Sequence, residues 1–371
     1  MQNHISRLEA QLLRRQQKNM SRKLSLNANL TDFCSNDYLG YSKNNSILKE
    51  KEQLVLAGST GSRLLTGNCQ LAQASEQKLA TFFNAEACLL FPSGYTANLA
   101  LLSTLPQRND LILTDKLVHA SIIDGYRLHR GIRQQNFEHN NLQDLENKLE
   151  QAEGNVWVVI ESLYSMDGDR APLGSIAALC KKYGAALLVD EAHSAGIWGP
   201  NGSGLCIAEG IENDCLARVY TFGKAFGYHG ACIVGSQQVI DYLINFARPF
   251  IYSTAMPASF YSHLNQIIAY RQQHNEEVRK LLKNIMLWAK YIDELNIKAS
   301  TNNSPIQSVI IGGNAATRNL AHAIQGKGFD VRPILSPTVP EGTERLRICL
   351  HSYNTEEEIS RLTQILANQH T

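Results

Sequence analysis

Lys224 stands in TFGKAFGYHG (221–230), between two Phe-Gly pairs and directly after the apolar run LARVYTF (216–222). Packing at the end of a buried strand does not ask for an ammonium group. A solvated turn lysine is the ordinary reading of such a position, and a reactive amine is the alternative. Asp190 ends another apolar run, AALLVD (185–190), and Glu191 and His193 follow it. A carboxylate and an imidazole are thus delivered together, although a strand-end aspartate also caps turns. In FPSGYTANLALLSTL (91–105), Ser93 can cap a helix whose first turn holds Gly94, Tyr95 and Thr96. Free amides at a helix start, with a glycine among them, make a site for a phosphate-sized anion. In DKLVHASIIDGYR (115–127), His119 immediately precedes a further helical pattern, as a cap or as a catalytic ring.

The elements that would position these groups follow from hydrophobic pattern. Strands are predicted at 87–91, 110–114, 155–161, 185–190, 216–222 and 230–235, with helices at 95–105, 120–130, 142–152 and 175–184 between them. This alternation predicts an α/β fold with a mostly parallel sheet covered on both faces. An open sheet of this kind presents ligand groups at the carboxyl ends of its strands, where Asp190 and Lys224 fall. With 371 residues the chain suggests about two domains. The divisions expected are an N-terminal segment (1–40), a large domain (41–258), and a linker helix with a smaller α+β domain (259–371). Apolar positions Val278, Leu281, Ile285, Trp288, Ile292 and Leu295 recur at three and four, which predicts one long amphipathic helix from about Ser259 to Leu295.

Taken together, a lysine, a strand-end aspartate, two histidines and an anion-ready helix start are the parts that hold pyridoxal phosphate. Lys224 would form the Schiff base, and Asp190 would pair with the ring nitrogen and favour its protonated form. His119 could stack on the ring, and His193 could reach the phenolic oxygen.

The segments CSNDYLG (34–40), GSTGSRLLTG (58–67), ESLYSMDGD (161–169), VDEAHSAG (189–196), TFGKAFG (221–227) and SPTVPEGTERLRI (336–348) resemble those of the α-oxoamine synthases. The likeness runs from about residue 34 onward. It implies a fold-type-I pyridoxal-phosphate enzyme that condenses an amino acid with an acyl thioester, releasing carbon dioxide and a thiol. On this resemblance the catalytic residues are Lys224, Asp190, His119 and His193. Ser165 joins His193 near the phenolic oxygen, and Gly94, Tyr95 and Thr221 take the phosphate. Asn36, Arg347, Thr338 and Arg22 fall on the substrate side, with Arg347 taking the amino acid's carboxylate.

Within the family, IYSTAMP (251–257) and PTVPEGTERLRI (337–348) look most like the branch that joins L-alanine to a pimeloyl thioester, carried by coenzyme A or an acyl carrier protein, in biotin synthesis. Condensation of glycine with an acetyl thioester is the second reading. A non-catalytic partner subunit is a third, and Lys224 speaks against it. The family builds its active sites from two subunits, which implies a homodimer. The chain departs from the family at Leu335, where an arginine is common, and at Ala72, where a histidine is. The stretch between Lys23 and Asp32 is shorter than in many relatives. Arg332 or a group of the partner subunit would then meet the distal pimeloyl carboxylate, or that carboxylate would stay in solvent near the tunnel mouth.

Composition narrows the rest. A formal charge of +1 lacks the strong basic excess expected of a nucleic-acid or membrane-surface protein. The eight cysteines show no metal-binding spacing, and Cys88, Cys180, Cys206, Cys232 and Cys349 sit among small or apolar residues as buried thiols would. No metal is expected. The opening residues hold no apolar signal core and the apolar runs are short, so the expected compartment is the reducing cytoplasm.

Overall fold

A computed structural model of the chain describes residues 2–22, 29–48, 58–129 and 131–370. Residues 23–28 of the short Lys23–Asp32 stretch lie outside them. The chain packs as two compact units. The larger comprises residues 39–165 and 170–277. The smaller comprises residues 1–38, 166–169 and 278–371.

The larger unit is built on seven strands: β1 (Ala87–Phe91), β2 (Leu111–Asp115), β3 (Arg133–Phe137), β4 (Val156–Glu161), β5 (Ala186–Asp190), β6 (Cys215–Thr221) and β7 (Ala231–Gly235). Their spatial order is β1-β7-β6-β5-β4-β2-β3. All pairings are parallel except those of β7, which runs against both β1 and β6. Successive residues of a strand point to opposite faces. Since β1 and β2 are buried at every position and β4 to β7 at nearly every one, both faces of the sheet are covered. That is why these strands read as continuous apolar runs. The exception is β3, with the sequence RQQNF, which is exposed at four of its five positions and pairs only with β2. An edge strand facing water carries no apolar signature, and none was expected there.

Two helices of this unit matter for the site. The first, α1 (Gly94–Leu102), follows β1, and the second, α2 (Ala120–Arg127), follows β2. The long helix expected from Ser259 to Leu295 is instead two, α3 (Ala258–Gln273) and α4 (Glu276–Glu294). His274 takes an extended conformation between them. The buried Arg271 fixes that break by donating to His274 O at 3.1 Å and Asn275 Oδ1 at 2.9 Å. Hydrophobic period alone does not register a break of two residues.

In the smaller unit a three-stranded antiparallel sheet pairs β8 (Ile306–Ile310), β9 (Arg332–Ile334) and β10 (Arg345–Cys349) in the order β9-β10-β8. On α4 the residues Val278, Leu281, Ile285, Trp288 and Ile292 are all buried, as their spacing predicts. Cys88, Cys180, Cys206, Cys232 and Cys349 are buried free thiols. Among the described residues no helix is long and apolar enough to cross a membrane.

Candidate active site

Asp190 is the last residue of β5 and is buried. Its Oδ2 accepts from Asn98 Nδ2 at 2.7 Å and its Oδ1 from the backbone N–H of Ala192 at 2.9 Å. Both oxygens are thereby satisfied, as burial of a carboxylate requires. Asn98, on α1, also donates to Ser121 Oγ at 3.0 Å. Ser121, on α2, lies 2.7 Å from His119 Nδ1 through its hydroxyl, and its backbone N–H donates to the same nitrogen at 3.2 Å. With Nδ1 accepting, a neutral His119 ring carries its hydrogen on Nε2.

His119 therefore caps α2 and ends a polar chain that starts at Asp190. The two readings left open for it are compatible. The residue remains exposed, which leaves a ring available to a ligand. Loss of hydration from the atoms around the ring pushes its pKa down; Asp190 opposes the shift and Lys224 adds to it. Asp190 ends the strand next to the one that leads into the Lys224 loop, so the aspartate and the lysine lie on neighbouring strands.

Lys224 sits in a tight loop between β6 and β7. Its carbonyl accepts from Gly227 N–H at 2.8 Å, and Phe222 and Gly230 pair across the base at 2.9 Å. Phe222 and Phe226 are fully buried beneath the loop with ring centroids 5.7 Å apart, and they anchor it. Gly223 leaves room beside the lysine, since a Cβ there would meet nothing nearer than 3.9 Å. Gly227 has another purpose than the room for Lys224 that its small size suggests. Its φ is +59°, and a Cβ would stand 2.2 Å from Ser42 N. The missing side chain admits the backbone of Tyr41 and Ser42.

At the start of α1, Ser93 Oγ accepts from Thr96 N–H at 3.1 Å. No hydrogen bond among the described residues uses the N–H of Gly94 or Tyr95. A Cβ on Gly94 would lie 3.6 Å from Thr221 Cβ and fill the gap between the helix start and the end of β6. The gap and its two amides suit an anion. Tyr95 is exposed and its hydroxyl donates to Asp124, so its backbone rather than its ring is what faces an anion. Ser165 and His193 are both buried, on the segments that follow β4 and β5.

The smaller unit brings together two of the four substrate-side residues. Arg347, on β10, donates to Asn36 Oδ1 at 2.9 Å, and Tyr38 OH donates to the same oxygen at 3.0 Å. Thr338 is exposed in a turn, its N–H bonded to Leu335 O at 2.9 Å. Arg22 is exposed, and no described contact joins it to Asn36 or Arg347.

Three residues of the larger unit's polar centre escaped the sequence reading: Asn98, Ser121 and Glu161. Asn98 is buried in an otherwise apolar helix, where a polar residue of poor helix propensity was the available sign. Glu161 ends β4 as Asp190 ends β5, so the same strand-end signal applied to it.

A lysine amine one strand away from a satisfied, buried carboxylate, with open amides at a helix start, fits pyridoxal phosphate. On a mostly parallel sheet with one reversed strand this is the architecture of the fold-type-I transferases that use it. Comparison with known proteins narrows the class. The family of class I and II aminotransferases matches residues 28–366. An 8-amino-7-oxononanoate synthase of Emericella nidulans is 38% identical across 97% of this chain and 94% of its own. Among solved structures, a serine palmitoyltransferase from S. paucimobilis with PLP-myriocin bound superposes with a TM-score of 0.88 at 26% identity, covering 99% of this chain and 97% of that one. The 8-amino-7-oxononanoate synthase of Francisella tularensis gives a TM-score of 0.79 at 29% identity, covering 92% and 98%. The chain belongs to the class I and II aminotransferase family, in its 8-amino-7-oxononanoate synthase branch.

Proposed function

We propose that this chain condenses L-alanine with a pimeloyl thioester, borne by coenzyme A or an acyl carrier protein, to give 8-amino-7-oxononanoate, carbon dioxide and the free thiol. The observation that carries the reading is the hydrogen-bonded chain from the buried Asp190 through Asn98 and Ser121 to His119, one strand from the Lys224 loop, in a chain so similar to synthases of that name. Pyridoxal phosphate, when bound, supplies an electron sink for the charge left at an amino acid's α-carbon. Lys224 holds the cofactor at rest, and its free amine takes and returns the α-proton. Asp190 supplies the negative charge that favours a protonated ring nitrogen. His119 offers a ring face, His193 and Ser165 serve the phenolic oxygen, and Gly94, Tyr95 and Thr221 serve the phosphate. Arg347, oriented by Asn36, receives the alanine carboxylate and fixes which α-carbon bond breaks. Thr338 and Arg22 complete the substrate side.

Arg332, already paired with a carboxylate, is disfavoured as the stand-in for the arginine absent at Leu335. Its guanidinium forks onto Asp330 at 2.6 and 3.2 Å. The distal pimeloyl carboxylate is met instead by a group of the partner subunit or by solvent, since burying it unpaired is costly. The working unit is a homodimer, and its compartment is the cytoplasm.

The test is kcat/KM for alanine with pimeloyl thioester against glycine with acetyl thioester. Pimeloyl offers about four more methylenes, and at ~0.8 kcal/mol each an apolar tunnel discriminates by roughly 3 kcal/mol, or on the order of a hundredfold. Preference for glycine and acetyl thioester would assign glycine C-acetyltransfer instead.

A further inference from the structure

Glu161 and Asp190 are register partners on the adjacent parallel strands β4 and β5, so their side chains leave the sheet on the same side. Glu161 is 3% exposed, and its Oε1 has no hydrogen-bond partner. A buried carboxyl with one open oxygen is costly to ionise, and a second negative charge beside Asp190 is costlier still. Burial first, then Asp190 and Asp115, push the Glu161 pKa up to about 8 against the opposing influence of Lys224. The phenol of Tyr164 also lies within its field.

We infer, resting on the reading that this site serves pyridoxal-phosphate chemistry, that Glu161, buried with an open oxygen beside Asp190, remains a neutral acid. It leaves Asp190 as the sole carboxylate of this pair of strand ends.

Full-length wild type and Glu161→Gln, both stripped of cofactor, are melted across a pH series from about 5 to 9. Folded Glu161 keeps its proton up to about 8, whereas an unfolded glutamate loses it near 4.3. Its contribution to stability is full below the lower value and is lost as pH rises toward the upper one. Glutamine does not titrate. The difference in Tm should therefore move in favour of Glu161→Gln by several degrees between the acid end and pH 8, then level off. A difference that stays constant with pH, or moves the other way, overturns the neutral acid.

Should the variant not fold, carboxyl-13C glutamate NMR of wild type decides the same point. One glutamate titrating above neutrality supports it, and none titrating there overturns it. The melting series needs no cofactor, so its failure is distinct from failure of the functional reading, which would appear as wild type not binding pyridoxal phosphate at all.

Discussion

Asp190 does two things that an amide in its place would separate. Its shape seats the Asn98 and Ala192 donors, and its charge acts on whatever lies opposite. Asp190→Asn preserves most of the shape and removes the charge, so the two contributions part. Exchange of the alanine α-hydrogen should fall on the order of 10²-fold or more, and cofactor affinity should fall far less. The measurement is the deuterium exchange rate of alanine with the folded variant, beside a dialysis constant for the cofactor. Exchange near the wild-type rate would reduce Asp190 to a turn residue. Its strand-end position was legible in the sequence because five apolar residues lead into it. Asn98, its partner, was not, since a hydrogen bond between residues 92 positions apart leaves no local pattern.

Among the elements, the Lys224 loop shows how little a glycine's purpose can be read from its neighbours. Two glycines flank the lysine, yet only Gly223 leaves space beside it, while Gly227 yields to the distant backbone of Tyr41 and Ser42. Gly227→Ala should therefore destabilise the protein by roughly 1–3 kcal/mol from its positive φ alone, with further cost from the contact at Ser42. Gly223→Ala should cost well under half as much. Thermal melting of both variants without cofactor checks the difference, and equal Tm losses would refute it. Strands β1, β2 and β4 to β7 were each found within one residue because burial on both faces makes them apolar over most of their length. The polar edge strand β3 went unseen, because partnering by one neighbour asks nothing of its side chains.

For the molecule as a whole, the expected homodimer implies that purified protein sediments at twice the chain's mass, with turnover lost on dilution into monomers. A monomer at full turnover would remove the shared active site. What the sequence determined by itself was the chemistry and the scaffold. Lys224, Asp190, His119 and the Ser93–Thr96 turn are local signals, each written in a few adjacent residues, and strand alternation is a short-range consequence of burial. The tertiary structure alone decided which groups meet. It joined Arg347 to Asn36 across 311 positions and set Glu161 beside Asp190 through strand register. Composition and period describe what a residue needs from its surroundings. Only the fold fixes which residue, out of many that satisfy the need, is brought within a few ångströms of it.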